Sequence, residues 1–304
     1  MIYTCTLNPS IDYIMHVDQF EPGGLNRAEK TFYYPGGKGI NVSRVLNKLS
    51  TPSIALGFAG GFTGQFIRSF LDGEGVSHHF IETDEPSRIN VKMKAGNETE
   101  INGPGPSITS AQETELLASI EKLSLEDTLV IAGSVPASLD KDIYLKISNI
   151  CKQQNISLVA DTSGAALKQL VGSPVMLLKP NHHELGQLFG TAITTKDDAV
   201  FYAKKLVEKG AHNVIVSMGG DGAVLVDSKR ALYANVPQGI VKNSVGAGDS
   251  VVAGFLSAIT TGKSLEDSLQ YGVAAGSATA FNDDLCNEKE VESLLKDIDV
   301  IGLK

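Results

Sequence analysis

Cysteine is scarce in this 304-residue chain, and the three cysteines, Cys5, Cys151 and Cys286, lie far apart. A disulfide framework needs an even number of cysteines, and a zinc site needs cysteine or histidine ligands at short spacings. Neither pattern is present. We therefore interpret the cysteines as buried thiols that remain reduced, and we expect a cytoplasmic protein.

Positive charge is also limited. The chain has 26 Lys and Arg residues against 35 Asp and Glu residues, a formal net charge of −9, and no long basic run. A protein that binds nucleic acid over a broad surface normally carries a basic stripe. We therefore expect no nucleic-acid partner, although a few local cations would suffice to hold a small anionic substrate.

Long hydrophobic runs are missing as well. No apolar stretch reaches the roughly 18–20 residues that a membrane-spanning helix needs. The opening MIYTCTLNPSIDY contains no basic residue, and the first cation of the chain is Arg27. A secretory signal begins with a basic segment, so the pattern does not fit one. We expect no membrane partner.

What the sequence does contain is an alternation of short apolar runs with stretches of helical period. The apolar runs are TLVIAGSVP (128–136), SLVADTSG (157–164), PVMLLKPN (174–181) and NVIVSMGG (213–220). Buried strands separated by about 10–15 helical residues are typical of βαβ units in a parallel sheet, with helices on both faces. The fold class predicted is α/β, and the length permits either two domains or one large one.

Two regions depart from this alternation. Residues 8–35 and 88–102 alternate polar and apolar side chains, with a turn expected at Gly96-Asn97. A period of two is typical of half-exposed antiparallel strands rather than of buried parallel ones. We predict that both regions form a small β-sheet over one edge of the main sheet, serving as a lid, a dimer surface or both.

The strongest candidate site is NSVGAGDSVVAGFLSAITTGK (243–263). Gly246, Ala247 and Gly248 directly precede a predicted amphipathic helix, and Asp249 falls in its first turn. Backbone N–H groups and the helix dipole make such a start suitable for a phosphate or an oxyanion. A carboxylate there could accept a proton from an attacking hydroxyl. The alternative is a glycine-rich turn with Asp249 as a helix cap.

A second candidate of the same kind is PGGKGINVSRVLNKL (35–49). Gly36, Gly37 and Gly39 surround Lys38 at the start of another predicted helix. It is not a Walker A loop, because neither Ser nor Thr follows the lysine. A turn that simply requires glycine is the alternative. Two phosphate-compatible helix starts in one chain are more informative than either alone, since one suits a donor phosphate and the other an acceptor.

Weaker signals lie between these two motifs. In KPNHHEL (179–185), Asn181 and Glu184 stand three residues apart at a helix start and could orient a hydrated Mg²⁺. His182 and His183 lack the spacing of a metal site, and we interpret them as surface or cap residues. The Gly- and Asp-rich segment 217–222 is either a hairpin turn or an edge of a nucleotide site.

Together, PGGKGINVSRVL and VGAGDSVVAGF resemble the two sequence motifs of the ribokinase/PfkB family of carbohydrate kinases, and LKPNHHEL and VSMGGDGA are similar to segments between them. The resemblance spans nearly the whole chain. It implies one kinase domain over residues 1–304, a ribokinase-like three-layer α/β/α sandwich with a mostly parallel central sheet, and a small β-sheet lid. It also implies ATP and Mg²⁺ as cofactors and a homodimer formed through the lid.

The resemblance further implies a role for each matching position. Asp249 would deprotonate the acceptor hydroxyl, and the amides of Gly246, Ala247 and Gly248 would bind the transferring phosphoryl group. The residues implied to line the ATP site are Lys179, Asn181, Ser217, Met218, Gly219, Gly220, Asp221, Gly222 and Gly248. Asn181 and Glu184 would hold Mg²⁺ through water. The residues implied to bind the sugar phosphate are Asp12, Arg27, Gly37, Lys38, Asn41, Arg88 and Ser134.

Within the family, TLNPSIDY, GGFTGQFI and ETEINGPGP look most like members that phosphorylate D-fructose 1-phosphate at O6 to give fructose 1,6-bisphosphate. Kinases of tagatose 6-phosphate have a similar opening and GGKG loop, so tagatose 6-phosphate or fructose 6-phosphate remains the alternative substrate. A non-catalytic sugar-phosphate sensor would be favoured by loss of Asp249 or its glycines, and these are present. Many members carry Asp-Thr where this chain has Asn243-Ser244; in some relatives that Asp belongs to a monovalent-cation site, so its replacement argues against K⁺ activation here.

Overall fold

The computed structural model describes residues 1–303. The strands are β1 (Ile2–Thr6), β2 (Ser10–His16), β3 (Lys30–Gly36), β4 (Ser53–Gly60), β5 (Ser77–Thr83), β6 (Arg88–Ala95), β7 (Asn97–Asn102), β8 (Thr128–Ala132), β9 (Ser157–Asp161), β10 (Leu177–Leu178), β11 (Asn213–Ser217), β12 (Ala223–Val226), β13 (Ala231–Ala234) and β14 (Val300–Leu303). The helices are α1 (Lys38–Lys48), α2 (Gly61–Glu74), α3 (Ser110–Ile120), α4 (Ile143–Gln154), α5 (Gly164–Leu170), α6 (His182–Phe189), α7 (Lys196–Glu208), α8 (Ala247–Thr260), α9 (Leu265–Ala280) and α10 (Glu288–Leu294).

The apolar runs form a central ten-stranded sheet in the order β14-β13-β12-β11-β10-β9-β8-β1-β4-β5. Neighbouring strands from β5 to β11 are parallel, whereas β12, β13 and β14 add an antiparallel edge. The predicted, mostly parallel sheet is confirmed. The strand in 174–181 is shorter than its apolar run, because a proline at each end of that run, Pro174 and Pro180, has no N–H to donate to a neighbouring strand.

Helices cover both faces of this sheet. One hydrophobic cluster packs helices α3 to α7 on one face, and a second packs α1, α8, α9 and α10 on the other. The two clusters separate because inward side chains alternate along each strand: Leu129 and Ile131 lie in the first, and Val130 and Ala132 in the second. This arrangement confirms the three-layer sandwich that the family resemblance implied.

Both regions of alternating pattern fold into one separate small sheet, with the strand order β3-β2-β6-β7. Strands β2 and β6 run parallel to each other, and the other two pairs are antiparallel. The expectation of antiparallel strands therefore holds for the pairs β2–β3 and β6–β7 and is wrong for β2–β6. Strands β1 and β5 end at the same edge of the central sheet, so the segments that follow them leave the body in the same direction.

The small sheet has two chemically different sides. By register, Asp12, Asn90 and Lys92 share one side, which is largely buried against the body. Tyr13, Val91, Tyr33 and Ile101 share the other, hereafter the outer side; Tyr33 is 50% exposed and Ile101 65% exposed. Within residues 1–303, no helix has the length and apolar character needed to cross a membrane.

Candidate active site

Helix α8 begins at Ala247, two residues earlier than the sequence predicted, so Ala247 and Gly248 belong to its first turn. Gly246 precedes it with φ 80°, and a Cβ on this residue would lie 2.6 Å from Leu285 Cδ2. Only glycine satisfies both constraints without strain. Asp249 is the third residue of the helix, and Gly246 occupies the cap position with no side-chain capping bond, so the alternative interpretation of Asp249 as a helix cap does not hold.

Three backbone N–H groups are unpaired at this helix start. The N of Ala247 lies 3.3 Å from the carbonyl oxygen of Ser244, whereas the N–H groups of Gly246, Gly248 and Asp249 have no hydrogen-bond partner within residues 1–303. Unpaired amides in the first turn of a helix carry the positive end of its dipole. Of the three amides assigned to the phosphoryl group, those of Gly246 and Gly248 are therefore unpaired, and that of Asp249 joins them.

Helix α1 brings the second glycine motif to the same place. Gly37 precedes the helix with φ 119°, and a Cβ there would come within 2.6 Å of Thr6 Cγ2. One turn into α1, Asn41 Nδ2 donates a hydrogen bond of 2.8 Å to Asp249 Oδ2. The two motifs, separated by about two thirds of the chain, thus meet at one carboxylate.

Asp161 is a site residue that the sequence reasoning missed. It is fully buried at the end of β9, Lys38 Nζ donates a 2.9 Å hydrogen bond to its Oδ1, and Lys179 Nζ lies 3.2 Å from its Oδ2. The available signal was an acidic residue ending a buried parallel strand, where ligands of α/β proteins bind. We call Lys38, Asp161, Lys179 and Asp249 the charged quartet.

The quartet gives its two carboxylates opposite titration behaviour. Burial raises the pKa of Asp249 to about 6, and the charge of Asp161 adds to the rise, while Lys38, Asn41 and Lys179 oppose it. Burial also acts to raise the pKa of Asp161, but Lys179 and Lys38 outweigh it and hold that pKa below its usual value. Asp161 is thus a fixed anion, and Asp249 can exchange a proton near neutral pH.

Asn181 and Glu184 form a reciprocal cap at the start of α6. Asn181 Oδ1 accepts a hydrogen bond from the N–H of Glu184, and Glu184 Oε2 accepts one from the N–H of Asn181, both at 2.8 Å. The remaining oxygen, Glu184 Oε1, lies 4.0 Å from Lys38 Nζ. Mg²⁺ in proteins usually keeps several waters and binds one or two carboxylates together with substrate phosphates. One free carboxylate oxygen beside the quartet fits this kind of site.

The segment 217–222 forms the hairpin turn between the antiparallel strands β11 and β12, as one of the two sequence interpretations had it. Met218 and Asp221 of this turn, with His182 and His183, line a cavity of about 750 Å³. Within residues 1–303, no three His, Cys, Asp or Glu side chains cluster as metal ligands. The histidines line a cavity wall and are not part of such a cluster.

The other residues predicted to bind the sugar phosphate lie partly on the small sheet and partly in exposed loops. Asp12 lies on the buried side of the small sheet, and Arg88 starts β6, donating to the carbonyls of Asn8 and Gly103. Ser134 is exposed just after β8. Arg27 is exposed in the loop between β2 and β3, and within residues 1–303 it forms no ion pair.

A narrow cleft lies between the small sheet and the body of the protein. Asp12 and Lys92 line it on the sheet side, and Asn41, Asn243 and Asp283 line it on the other. Because Asn41 also binds Asp249, the cleft leads toward the charged quartet. Lys92 was not among the residues singled out from the sequence; its signal was a lysine in an alternating strand.

Comparison with known proteins agrees with this geometry. The model of the pfkB family of carbohydrate kinases matches residues 5–290. The chain is 53% identical to 1-phosphofructokinase of Bacillus subtilis and 34% identical to D-tagatose-1-phosphate kinase of Bacillus licheniformis, each over the full length of both chains. It matches the crystal structure of Escherichia coli Phosphofructokinase-2 in complex with substrates and products with a TM-score of 0.92 and 32% identity, over 97% of this chain and 98% of that one.

Proposed function

The chain belongs to the pfkB family of carbohydrate kinases, and from that premise we propose that it transfers the γ-phosphoryl group of ATP to O6 of D-fructose 1-phosphate. The products are ADP and fructose 1,6-bisphosphate. The observation that carries the proposal is Asp249, which is buried, accepts a hydrogen bond from Asn41, and follows the unpaired backbone amides of Gly246 and Gly248. The relative at 53% identity, named 1-phosphofructokinase, supports the choice of substrate.

Asp249 acts as the general base. Its carboxylate accepts the proton of the O6 hydroxyl while a bond forms between O6 and the γ-phosphorus. The bond between that phosphorus and the oxygen bridging to the β-phosphate breaks, and ADP leaves. A pKa of about 6 keeps Asp249 ionised at neutral pH and able to take up the proton. The unpaired amides of Gly246, Gly248 and Asp249 stabilise negative charge on the transferring group.

ATP lies along the turn 217–222, with Lys179 and Asn181 nearby. When bound, Mg²⁺ neutralises charge on the β- and γ-phosphates, and Glu184 Oε1 is the oxygen that would hold it, through water. Lys38 and Lys179 bring two cations to this point in a chain of net charge −9. The chain's own groups therefore orient the phosphates and balance their charge.

The sugar phosphate lies between the small sheet and α1. Asp12, Gly37, Lys38 and Asn41 contact its hydroxyl groups, and Arg88 and Ser134 bind its phosphate. Arg27 belongs to this set by sequence, yet it is exposed in a loop of the small sheet. It reaches a sugar phosphate only if the loop folds inward or if a second subunit presents it.

We also propose that the protein is a homodimer joined through the outer side of the small sheet. Tyr13 and Tyr33 stack there with ring centroids 4.6 Å apart, and Ile89 and Ile101 are exposed beside them. A cluster of exposed aromatic and aliphatic side chains on one side of a sheet is typical of a protein interface. A cytoplasmic location remains a prediction from the sequence.

The test is ADP release from Mg-ATP in a coupled assay with fructose 1-phosphate, tagatose 6-phosphate and fructose 6-phosphate at equal concentrations. We expect kcat/KM for fructose 1-phosphate to exceed the other two by about tenfold or more. An Asp249→Asn preparation serves as the control for a contaminating kinase. A preference for a 6-phosphate would reassign the substrate, for which the tagatose-6-phosphate kinase of Staphylococcus epidermidis, 33% identical to this chain, supplies the precedent.

A further inference from the structure

Asp12, Asn90 and Lys92 form a hydrogen-bonded and ion-paired group on the buried side of the small sheet, hereafter the sheet cluster. Asp12 Oδ1 accepts hydrogen bonds from Ser10 Oγ at 2.8 Å and from Asn90 Nδ2 at 3.0 Å. Lys92 Nζ lies 3.2 Å from the other oxygen, Asp12 Oδ2. Neighbouring strands β2 and β6 supply all four residues, so the register of this one strand pair fixes their positions.

Two members of the sheet cluster keep unused hydrogen-bonding capacity although they are buried. Asn90 is 6% exposed, and its Oδ1 has no hydrogen-bond partner among residues 1–303. The Lys92 side chain is 8% exposed, and its second acidic neighbour, Glu100 Oε1, is 3.7 Å from Nζ, beyond hydrogen-bond distance. An ammonium carries three donors, so Lys92 has donors left.

Buried polar groups without partners cost free energy unless a bound molecule completes them. The cleft beside the sheet cluster is lined by Asp12, Lys92 and Asn41, and Asn41 binds Asp249. A sugar whose reacting hydroxyl lies at Asp249 therefore presents its other ring hydroxyls to the cluster. A carboxylate that accepts and an ammonium that donates suit two adjacent hydroxyl groups.

We propose that Lys92, together with Asp12 and Asn90, binds the C3 and C4 hydroxyls of the ketohexose phosphate and sets the preference for the fructose configuration. Fructose and tagatose differ only in the configuration at C4. A rigid donor and acceptor pair matches one orientation of that hydroxyl and leaves a buried group unpaired with the other, which discriminates strongly. The inference rests on the proposed sugar-phosphate kinase activity and adds its stereochemical determinant.

The experiment compares wild type, Lys92→Met and Lys94→Met on fructose 1-phosphate and on its C4 epimer tagatose 1-phosphate. Lys94 lies two residues further along β6, so its substitution removes the same charge from the same strand without altering the cleft. We expect Lys92→Met to lower kcat/KM for fructose 1-phosphate by about 10- to 100-fold, mainly through KM. The loss for the tagatose epimer should be much smaller, and KM for ATP should not move.

An equal loss for both epimers, or a rise in the KM for ATP of the same size, would mean that Lys92 only supports the fold. No loss at all would place the sugar elsewhere. Because Lys92→Met leaves Asp12 without its cation, Lys92→Gln is made in parallel; it retains a donor and should recover part of the fructose preference. If the wild-type protein is inactive on fructose 1-phosphate, only the proposed substrate is refuted. The role of Lys92 is then tested with fructose 6-phosphate and tagatose 6-phosphate, which also differ only in the configuration at C4.

Discussion

Asn41 Nδ2 donates a 2.8 Å hydrogen bond to Asp249 Oδ2 across 208 residues of sequence. Both residues are largely buried, 8% and 6% exposed. The bond joins the first turn of α8 to α1, and it stabilises the ionised form of the carboxyl group that we assign as the base. It therefore links the sugar side of the site to the phosphoryl side.

The first prediction concerns catalysis by Asp249. Asp249→Asn is nearly the same shape but cannot accept the hydroxyl proton, so kcat should fall by about 10²–10⁴-fold. The measurement is the steady-state rate with fructose 1-phosphate and Mg-ATP. Asp197→Asn, an exposed position in the first turn of α7, is the matched control and should keep full activity. Substantial activity in a folded Asp249→Asn protein would remove Asp249 from the base role.

The second prediction concerns pH. The base must be ionised, so kcat/KM should decline as the pH falls through about 6, the pKa of Asp249. The Asn41 hydrogen bond lowers that pKa, hence Asn41→Ala should raise it and move the acid limb to higher pH. Asn47 lies on the same helix as Asn41 and donates to the Glu74 carbonyl of α2; Asn47→Ala should leave the acid limb in place. An unmoved limb in Asn41→Ala would separate Asn41 from the titrating group.

The third prediction is that Asp249 destabilises the fold in its ionised form. Its pKa in the folded protein, about 6, lies above the ordinary value of 3.8. Between pH 3.8 and about pH 6, the native state thus binds more protons than the unfolded state, and the free energy of unfolding falls as the pH rises through that range. At pH 8, the free energy of unfolding of Asp249→Asn, measured by urea titration, should exceed that of wild type by about 1–3 kcal/mol. Below pH 4 the difference should vanish; a variant less stable at pH 8 would contradict the account.

The fourth prediction concerns Asp161. Asp161→Asn leaves the ammonium groups of Lys38 and Lys179 close together without their shared anion, and should cost about 3–5 kcal/mol of unfolding free energy. Asp140→Asn, which removes an exposed partner of Lys146, should cost about 1 kcal/mol or less. Urea titrations of the two variants provide the comparison. Equal costs would mean that the buried pairing adds little.

The fifth prediction concerns the dimer. Tyr33→Asp or Ile101→Asp places a charge on the outer side of the small sheet, and sedimentation should shift from dimer to monomer. Leu125→Asp tests the effect of a charge at an exposed apolar position outside that sheet and should leave the dimer intact; Leu125 is 69% exposed. A wild-type protein that sediments as a monomer would refute the dimer itself.

Sequence patterns predicted those helices, strands and turns whose formation depends on a few neighbouring residues. The period of the apolar residues predicted helix α8 and the buried strands, and the glycines at 246 and 37 predicted tight turns at two helix starts. The alternation in 88–102 predicted strands β6 and β7. It could not predict that β6 pairs with β2 in parallel, because strand direction depends on where the preceding strands of the central sheet end.

Residue chemistry by itself therefore determined the α/β class, the two helix starts and the candidate base, since periodicity and glycine conformations act over a few neighbouring positions. Only the tertiary structure placed Asp161 between Lys38 and Lys179, and Lys92 against Asp12. These groups come from separate strands and helices, and they meet only after the sheets have assembled. The pKa of Asp249 was decided there too, because burial and the surrounding charges set it.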